Sequence, residues 1–462
     1  MLPPVALSSI LEDLNALTAE GRGQAKKTQH IGVGRDQLAQ VGPWLSEARP
    51  DLTHLVVCDA HTKLAAADAL LEQLQTAGHT AALHVLEPRP GEDHVMCADE
   101  EIAALQEHLA PTRSVNAIAV GAGSINDIVK MATAKLDRPY QCVATAASMN
   151  GYTSAIAAVL SRGVKRTLPA QQAQAVFADV DVLQKAPAYL NLAGFGDLLS
   201  KPYSNADWRL SAFIRGVPYE ERPAKLLDSA FDALLDSADA VGKSEADGIE
   251  LLAATIILSG FTMAIAGTSA PASGGEHLVS HYWDMEQHCH DLPLRGLHGT
   301  QVGVATLMSA MLFERLVSLE QDDINPQAAA ARVPDASYLE GLDERHHGLT
   351  PAVIEEVRAQ IEAKQKTGTE LQGELEAVKK DWPEIQATLR EILMPAERMR
   401  VALAATGAPA KPSALEVTRE HAVRTLTVCR EIRSRYVALD LIADLGLLPT
   451  WAGEVVDSVE GD

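Results

Sequence analysis

Aromatic residues make up only 4% of the 462-residue chain, and alanine and leucine abound in their place, which favours helix-rich packing over an all-β sandwich. Basic residues are outnumbered: 39 Lys and Arg stand against 62 Asp and Glu, a formal net charge of −23. Binding to nucleic acid or to an anionic membrane surface relies on clustered Lys and Arg, so neither partner is expected. An anionic small molecule would need a local island of basic side chains or helix N-termini. Cysteine is sparse. Cys58, Cys97, Cys142, Cys289 and Cys429 stand far apart, with no pair at metal-binding or redox spacing. A disulfide framework is therefore not expected, and a reducing cytoplasm is. Met1 to Leu17 carries no basic stretch leading into an apolar core. No uninterrupted apolar run reaches the ~18–20 residues of a membrane span, so membrane insertion is not expected. The longest, Leu251 to Ala266, is broken by Ser259 and Gly260 and reads as a buried helix.

What is present suffices for two or three domains, with 47% of residues hydrophobic. Through residue 185, short β-rich runs alternate with helical stretches, the pattern of an α/β domain on a parallel sheet. Strands are expected at 54–58, 82–86, 116–120, 141–144 and 175–180. From 186 to 462 helical periodicity takes over, at 190–200, 224–240, 245–266, 299–316, 351–364 and 414–445. The expected fold is thus an α/β dinucleotide-binding domain (1–185) followed by an all-α domain (186–462) that holds metal and substrate, with the active site between them. The pattern is weakest over 321–380, where 364–380 reads as a solvated helix face.

Gly121-Ala122-Gly123-Ser124 follows an expected strand and opens a helix carrying Asp127. Two glycines allow a backbone to approach a pyrophosphate, and the helix N-terminus offers free N–H groups. The full dinucleotide fingerprint would have a third glycine where Asn126 stands, so both a phosphate cradle and a plain strand-to-helix turn remain open. One strand later, Thr145-Ala146-Ala147-Ser148-Met149-Asn150-Gly151-Tyr152-Thr153-Ser154 occupies a strand's carboxyl end, where open parallel sheets bind ligands; a polar loop is the alternative. Asp59, after the first expected strand, can accept hydrogen bonds from adenine-ribose hydroxyls and repel a 2′-phosphate. NAD is therefore expected over NADP, with Lys63 nearby weakening the repulsion.

In the helical half, Gly194-Phe195-Gly196-Asp197, Ser273-Gly274-Gly275-Glu276-His277 and Leu297-His298-Gly299 each place one metal-type donor on a separate element. One carboxylate with two imidazoles suits Zn, Fe or Ni and leaves positions open for substrate. His281 lies four residues after His277, on the same helical face. His288, His290 and Asp291 form a competing set, but in a polar segment that reads as exposed loop; His346-His347 is read likewise.

Together these segments resemble the sn-glycerol-1-phosphate dehydrogenases, in particular the bacterial form, within the group of iron-containing alcohol dehydrogenases, glycerol dehydrogenases and dehydroquinate synthases. The matching pieces are Gly121–Lys130, Thr145–Ser154, Ala193–Leu210, Ser273–Met285, Leu297–Thr306 and, near the end, Glu431–Leu447. The resemblance implies a dehydroquinate synthase-like fold. It implies dinucleotide contacts from Gly121, Gly123, Ser124, Ile125, Asn126, Asp127, Thr145, Ala146, Ala147, Ser148 and Ser154. It also implies metal ligation by Asp197, His277 and His298, and substrate contacts from Asp197, His281 and Asn150. Two positions depart from the family pattern: Asn150 replaces an Asp, and Gly275 replaces a Ser. The implied activity interconverts sn-glycerol 1-phosphate and dihydroxyacetone phosphate, with NAD (or NADP) and one divalent metal, Zn, Ni or Fe. Asp197 and His281 are the expected catalytic residues, and Lys201 and Arg209 are candidates for the phosphate. A cytoplasmic homo-oligomer acting on a small phosphorylated polyol is expected. The alternatives are a dehydroquinate synthase-like lyase or cyclase, a dehydrogenase of another polyol, and a non-catalytic scaffold, which the intact ligand set disfavours.

Overall fold

Short runs rich in Val, Ile and Ala become strands in the computed structural model, which describes residues 4–24, 26–89, 91–92, 94–161, 164–290 and 292–461. In chain order these are β1 (His30–Gly34), β2 (Thr53–Cys58), β3 (Ala81–Val85), β4 (Val115–Gly121), β5 (Tyr140–Ala144), β6 (Ile156–Ser161), β7 (Val164–Pro169) and β8 (Ala175–Asp179). Six of them form one sheet in the order β1-β8-β5-β4-β2-β3, all pairs parallel, and β6 and β7 make a separate antiparallel pair. Every residue of β5 and β8 is buried, as befits strands covered on both faces. The five expected strands are all in this sheet. The sequence pattern missed β1, whose two β-branched residues alternate with strand-weakening glycines, and the antiparallel pair β6 and β7.

From β2 the chain steps outward to β3, whereas from β4 it steps the other way to β5 and β8. The strand order therefore reverses between β2 and β4. The crevice beyond the carboxyl ends at such a reversal is where open α/β sheets take ligands. Asp59 directly follows β2, and Gly121 ends β4.

The helices that matter for function are α1 (Gly123–Lys135), α2 (Ala188–Leu199), α3 (Lys201–Arg215), α4 (Ala246–Ala266), α5 (Gly275–Cys289), α6 (His298–Leu316) and α7 (Gly368–Ile392). The chain divides into two compact units, one running to Leu198 and including Arg222–Ser269, the other comprising Leu199–Glu221 and the chain from Ala270. The first unit holds the sheet, α1 and α4. Although α4 is long and apolar enough to cross a membrane, 78% of its apolar window is buried inside the protein. Its Gly260 admits the turn at Asn150–Thr153: a Cβ there would lie 2.2 Å from Thr153 Oγ1 and 2.5 Å from the Asn150 carbonyl. Thr153 Oγ1 in turn donates to the Ile257 carbonyl at 2.6 Å. On α2, a Cβ at Gly194 would lie 1.8 Å from the Ala147 carbonyl oxygen.

The second unit is helical. Its α7 arises where the sequence pattern was weakest, and buries Leu371, Leu375, Val378, Trp382, Ile385 and Leu389 along one stripe of three- and four-residue steps. Lys364, expected on a solvated face, is instead buried. Its ammonium pairs with Asp440 Oδ1 at 2.8 Å and donates to the Arg430 and Arg435 carbonyls. A long lysine at an apolar position can satisfy itself this way only where folding brings a carboxylate to it. The periodic stretch 414–445 breaks into Arg419–Val428, a 3₁₀ turn at Cys429–Ile432, and Ala438–Asp444. All five cysteines are free thiols. Cys58, Cys97, Cys142 and Cys429 are buried, and Cys289 is half-buried against Thr350. Burial pushes the Cys58 thiol up to about 12 and raises those of Cys97, Cys142 and Cys429 as well.

Two glycine substitutions should act with opposite sign in urea unfolding. Gly194→Ala drives a methyl into the Ala147 carbonyl and should cost about 1–3 kcal/mol. Gly373→Ala, mid-helix in α7 with nothing within 4 Å of the new methyl, should stabilise by about 0.5–1 kcal/mol. Equal effects at the two positions would contradict the packing described.

Candidate active site

The loop after β4 is built for close backbone approach. A Cβ on Gly121 would meet Ile125 Cβ at 2.6 Å, so glycine is required there by packing. Gly123 differs. The nearest atom to its missing Cβ is Met149 Cγ at 3.7 Å, which leaves the first turn of α1 open on that side. Ala122 supplies no side-chain cap to α1, so the leading N–H groups of the turn holding Gly123, Ser124 and Ile125 are presented as a helix N-terminus suited to an anion. Asn126, standing where the fingerprint has glycine, is fully buried and accepts from Tyr140 OH at 3.1 Å. Asp127 also faces inward. Its Oδ1 lies 3.2 Å from Lys130 Nζ, and its Oδ2 accepts from the Ala158 amide at 3.0 Å. Ser154 belongs to the same knot, with Lys130 Nζ also donating to its Oγ and to the Gly151 and Ile156 carbonyls.

The loop after β5 is pinned at both ends. The Thr145 amide donates to the Gly121 carbonyl at 3.3 Å, and the Ala147 amide donates to Asn191 Oδ1 on α2 at 2.9 Å. Ala146 accepts through its carbonyl from Tyr152 OH at 2.6 Å, and Ser148 is half-buried. Asn150 uses its amide N–H on Ser259 of α4, at 3.4 Å. At the end of β2, Asp59 caps the short helix Ala60–Thr62, its Oδ1 accepting from the Thr62 amide at 2.7 Å. Lys63 is drawn off to Asp68 at 2.7 Å, so its charge does not rest on Asp59.

Asp197 lies in the last turn of α2, a helix whose final residue, Leu199, already belongs to the second unit. His277 lies in the first turn of α5, and His298 opens α6. One ligand atom from each lies within 4.8 Å of the others. A carboxylate with two imidazoles at that spacing fits one divalent ion with coordination positions to spare. His277 is set for the task. Its Nδ1 meets Glu276 Oε1 at 2.8 Å, so the proton sits on Nδ1 and Nε2 keeps its lone pair for a metal. Glu276 Oε1 also accepts from Ser204 Oγ and the Gly274 amide, both at 2.8 Å. Burial would raise the Glu276 carboxyl, but the hydrogen bonds from His277 and from the Gly274 amide outweigh it and hold it below the usual carboxylate range. His281 is adjacent, its ring stacked on that of His298 at 5.3 Å between centroids.

Asp207 of α3 braces this ligand helix. Its Oδ2 accepts from the Gly275 amide at 2.7 Å, and its Oδ1 from the Ala438 amide at 2.6 Å. Burial, and then the charge of Glu276, push its carboxyl up to about 8. The missing Cβ of Gly274 would lie 2.5 Å from Asp207 Oδ2 and 2.8 Å from Glu276 Oε2, so no side chain enters there. Gly275 is less constrained, meeting only the flexible end of Leu439 at 3.3 Å and Asp207 Oδ2 at 3.5 Å among polar atoms. Sequence reasoning missed both Asp207 and Glu276 as supports. The one available signal was a carboxylate directly before a ligand histidine.

The competing histidines fall elsewhere. His290 Nε2 lies 3.1 Å from the Gly348 carbonyl, Asp291 is outside the described residues, and His288 and His290 join no ligand group among those described. His346, expected in an exposed loop, is fully buried between Glu431 and Tyr282. Its neighbour His347 is exposed. Lys201 is buried, donating to Ser200 Oγ and the Ala272 carbonyl. The Arg209 guanidinium lies over the rings of Phe213 and Tyr219, at 4.5 and 4.8 Å.

Comparison with known proteins identifies the family. A model of the iron-containing alcohol dehydrogenases matches residues 32–187. The glycerol-1-phosphate dehydrogenase [NAD(P)+] of Bacillus subtilis is 36% identical over 300 residues, covering 64% of this chain and 74% of that protein. That of Geobacillus thermodenitrificans is 36% identical over 314 residues, covering 67% and 76%. The chain belongs to the glycerol-1-phosphate dehydrogenase family. Members of this family are NAD(P)-dependent oxidoreductases acting on CH–OH, the iron-containing alcohol dehydrogenase match implies a divalent metal, and Asp197, His277 and His298 form a possible site for one. The fold is that of a probable glycerol dehydrogenase from Sinorhizobium meliloti, with a TM-score of 0.60 at 16% identity over 94% of this chain and 98% of that one. A sulfoacetaldehyde reductase from Bifidobacterium kashiwanohense, solved with NAD+, superposes with a TM-score of 0.56 at 14% identity, over 94% and 98%.

Two expectations follow for this member of the family. His298→Ala should abolish turnover and bound metal, while His288→Ala and His290→Ala should leave both nearly intact; the reverse pattern in elemental analysis would overturn the ligand assignment. The second concerns Asp207. A carboxyl held at about 8 in the fold and near 4 when unfolded keeps a proton in the native state that the unfolded chain gives up. Its contribution to stability is fully present below pH ~4 and is lost as the pH rises through about 8. The melting temperature should therefore fall more steeply between pH 5 and 8.5 for the parent than for Asp207→Asn. Parallel curves would show that Asp207 is ionised throughout.

Proposed function

We propose that this protein interconverts sn-glycerol 1-phosphate and dihydroxyacetone phosphate with NAD as the preferred dinucleotide, and that Asp197, His277 and His298 hold its metal. The observation that carries this reading is the convergence of those three donor atoms within 4.8 Å, together with relatives named glycerol-1-phosphate dehydrogenase. When bound, a divalent ion supplies Lewis acidity at the secondary alcohol oxygen, and the dinucleotide supplies the hydride acceptor.

The chain's own residues supply the rest. The Gly123 turn at the start of α1 receives the pyrophosphate, with Gly121, Ser124, Ile125, Asn126 and Asp127 shaping that turn. The loop Thr145-Ala146-Ala147-Ser148, with Ser154 behind it, borders the same dinucleotide. Asp59 takes the adenine ribose hydroxyls, and because Lys63 is committed to Asp68, its negative charge stands against a 2′-phosphate. His281, beside the ligand rings, accepts the alcohol proton during oxidation and returns it during reduction. Asn150, whose N–H is spent on Ser259, presents its carbonyl oxygen to a substrate hydroxyl. Lys201 is the cation best placed for the phosphate, since Arg209 is held on two aromatic rings. The free cysteines support a cytoplasmic setting, and we further propose a homo-oligomer, which sedimentation would test.

A kinetic panel decides the substrate. With saturating metal, both enantiomers of glycerol phosphate and free glycerol would be compared, each with NAD and with NADP, following net NAD(P)H formation. The expected result is a kcat/KM for sn-glycerol 1-phosphate at least tenfold above the others, and a preference for NAD that Asp59→Asn narrows. Cofactor turnover without net NADH would favour the lyase or cyclase chemistry instead. A preference for glycerol would remove the phosphate from the reading.

A further inference from the structure

His277 has a carboxylate against its Nδ1, whereas His298 has a hydroxyl. Its Nδ1 meets Ser280 Oγ at 2.9 Å, and a hydroxyl is an ambiguous partner because it can donate or accept. Which it does decides whether the proton of His298 sits on Nδ1, leaving Nε2 free for a metal, or on Nε2, blocking it.

The ambiguity is resolved two side chains away. Ser280 Oγ also lies 2.7 Å from Gln301 Oε1, and Gln301 Nε2 lies 3.0 Å from Asp284 Oδ1. Ser280, Asp284 and Gln301 are all buried. Ser280 and Asp284 stand one turn apart on α5, and Gln301 stands one turn after His298 on α6, so two facing helices contribute alternate members of one chain. An ionised carboxylate only accepts. Asp284 therefore turns the NH₂ end of Gln301 toward itself and the carbonyl end toward Ser280. The single Ser280 proton then goes to Gln301 Oε1, and the lone pair of Ser280 Oγ is left to face His298. Nδ1 must carry the hydrogen, and Nε2 carries the lone pair.

We infer that Asp284, Gln301 and Ser280 form a polarity relay that locks His298 in its metal-ligating tautomer, with all three acting as positioning residues. The inference rests on the reading of His298 as a metal ligand. A plain structural role for these side chains would be indifferent to which end of Gln301 faces Ser280. In the relay, that direction is the whole function, and one buried charge sets it. Orienting partners of this kind are worth roughly ten- to a hundredfold in metal affinity.

Asp284→Asn is the sharp test because it keeps the shape and removes only the charge that fixes the direction. With an amide in place of the carboxylate, able to accept or donate, Gln301 is free to reverse, Ser280 to donate to Nδ1, and His298 to take the blocked tautomer. Zinc affinity of the full-length protein, measured by competition with a chromogenic chelator, should fall roughly tenfold in Asp284→Asn and Ser280→Ala, and should be largely kept in Ser280→Thr, which retains the hydroxyl. Nitrogen-15 spectra of the metal-free protein, with the His298 signal assigned by its loss in His298→Ala, should show a protonated Nδ1 in the parent and not in Asp284→Asn. Zinc affinity within twofold of the parent in Asp284→Asn and Ser280→Ala, with an unchanged Nδ1 signal, would overturn the relay while leaving the metal site standing. A parent that binds no zinc, nickel or iron would overturn the metal reading and the relay with it.

Discussion

The backbone of α2 lies against the Ala147 carbonyl at a distance that only a glycine permits, and the ligand-facing parts of the first unit depend on that contact. Gly194 is the point of touch, and Asn191, one helical turn earlier, takes the Ala147 amide. The loop after β5 is thus bonded through the Ala147 amide and packed at the Ala147 carbonyl by one helix, and the same helix delivers Asp197 one turn later. A helix rises about 1.5 Å per residue, so a methyl-sized displacement at residue 194 would carry over undiminished to the carboxylate at 197. Gly260 repeats the device from α4, where it lets the 150–154 turn rest directly on helical backbone.

In the second unit the organising problem is polar, acidic groups in a buried place. Asp207, Glu276 and Asp284 are all buried carboxyls close in sequence or contact to the ligand helix α5. Each is given backbone or side-chain N–H donors in place of water: Gly275 and Ala438 for Asp207, Gly274 for Glu276, Gln301 for Asp284. Unpaired, such groups would cost several kcal/mol each. Paired, they fix the start of α5 and the two imidazole rings. The strongly acidic composition of the chain therefore appears at the site as scaffold for a cation.

Much of this was legible beforehand, for physical reasons. Parallel strands covered on both faces leave continuous apolar runs, so five of the six sheet strands could be read directly, and the Gly-Ala-Gly turn after β4 announced a helix N-terminus even without a third glycine. The three donors that the structure brings together, Asp197, His277 and His298, could be singled out because each stands at a helix end beside glycine or leucine in an otherwise apolar context. What could not be read were partners distant in sequence. Lys364 looks like any surface lysine until Asp440 is folded against it, and His346 looks exposed until Glu431 and Tyr282 close over it. Asn126 looks like a damaged fingerprint, but its side chain is a buried acceptor for Tyr140. Trp382 and its stripe on α7 were masked by the charged residues between them, whose density hid a regular three- and four-residue spacing.

The thiols carry a last consequence. Four are sealed in the interior with their ionisation suppressed by burial, and the fifth, Cys289, has its sulfur engaged by Thr350. Thiolate is the species that peroxides and alkylating reagents attack, so the four sealed thiols offer them little to react with, and Cys289 is the one partly exposed sulfhydryl. Loss of activity in air that spares a zinc-filled sample, and persists in Cys289→Ala, would then report the valence of an iron ion instead of damage to a thiol. Shelf life in air becomes a simple assay that separates an iron-filled preparation from one filled with zinc or nickel.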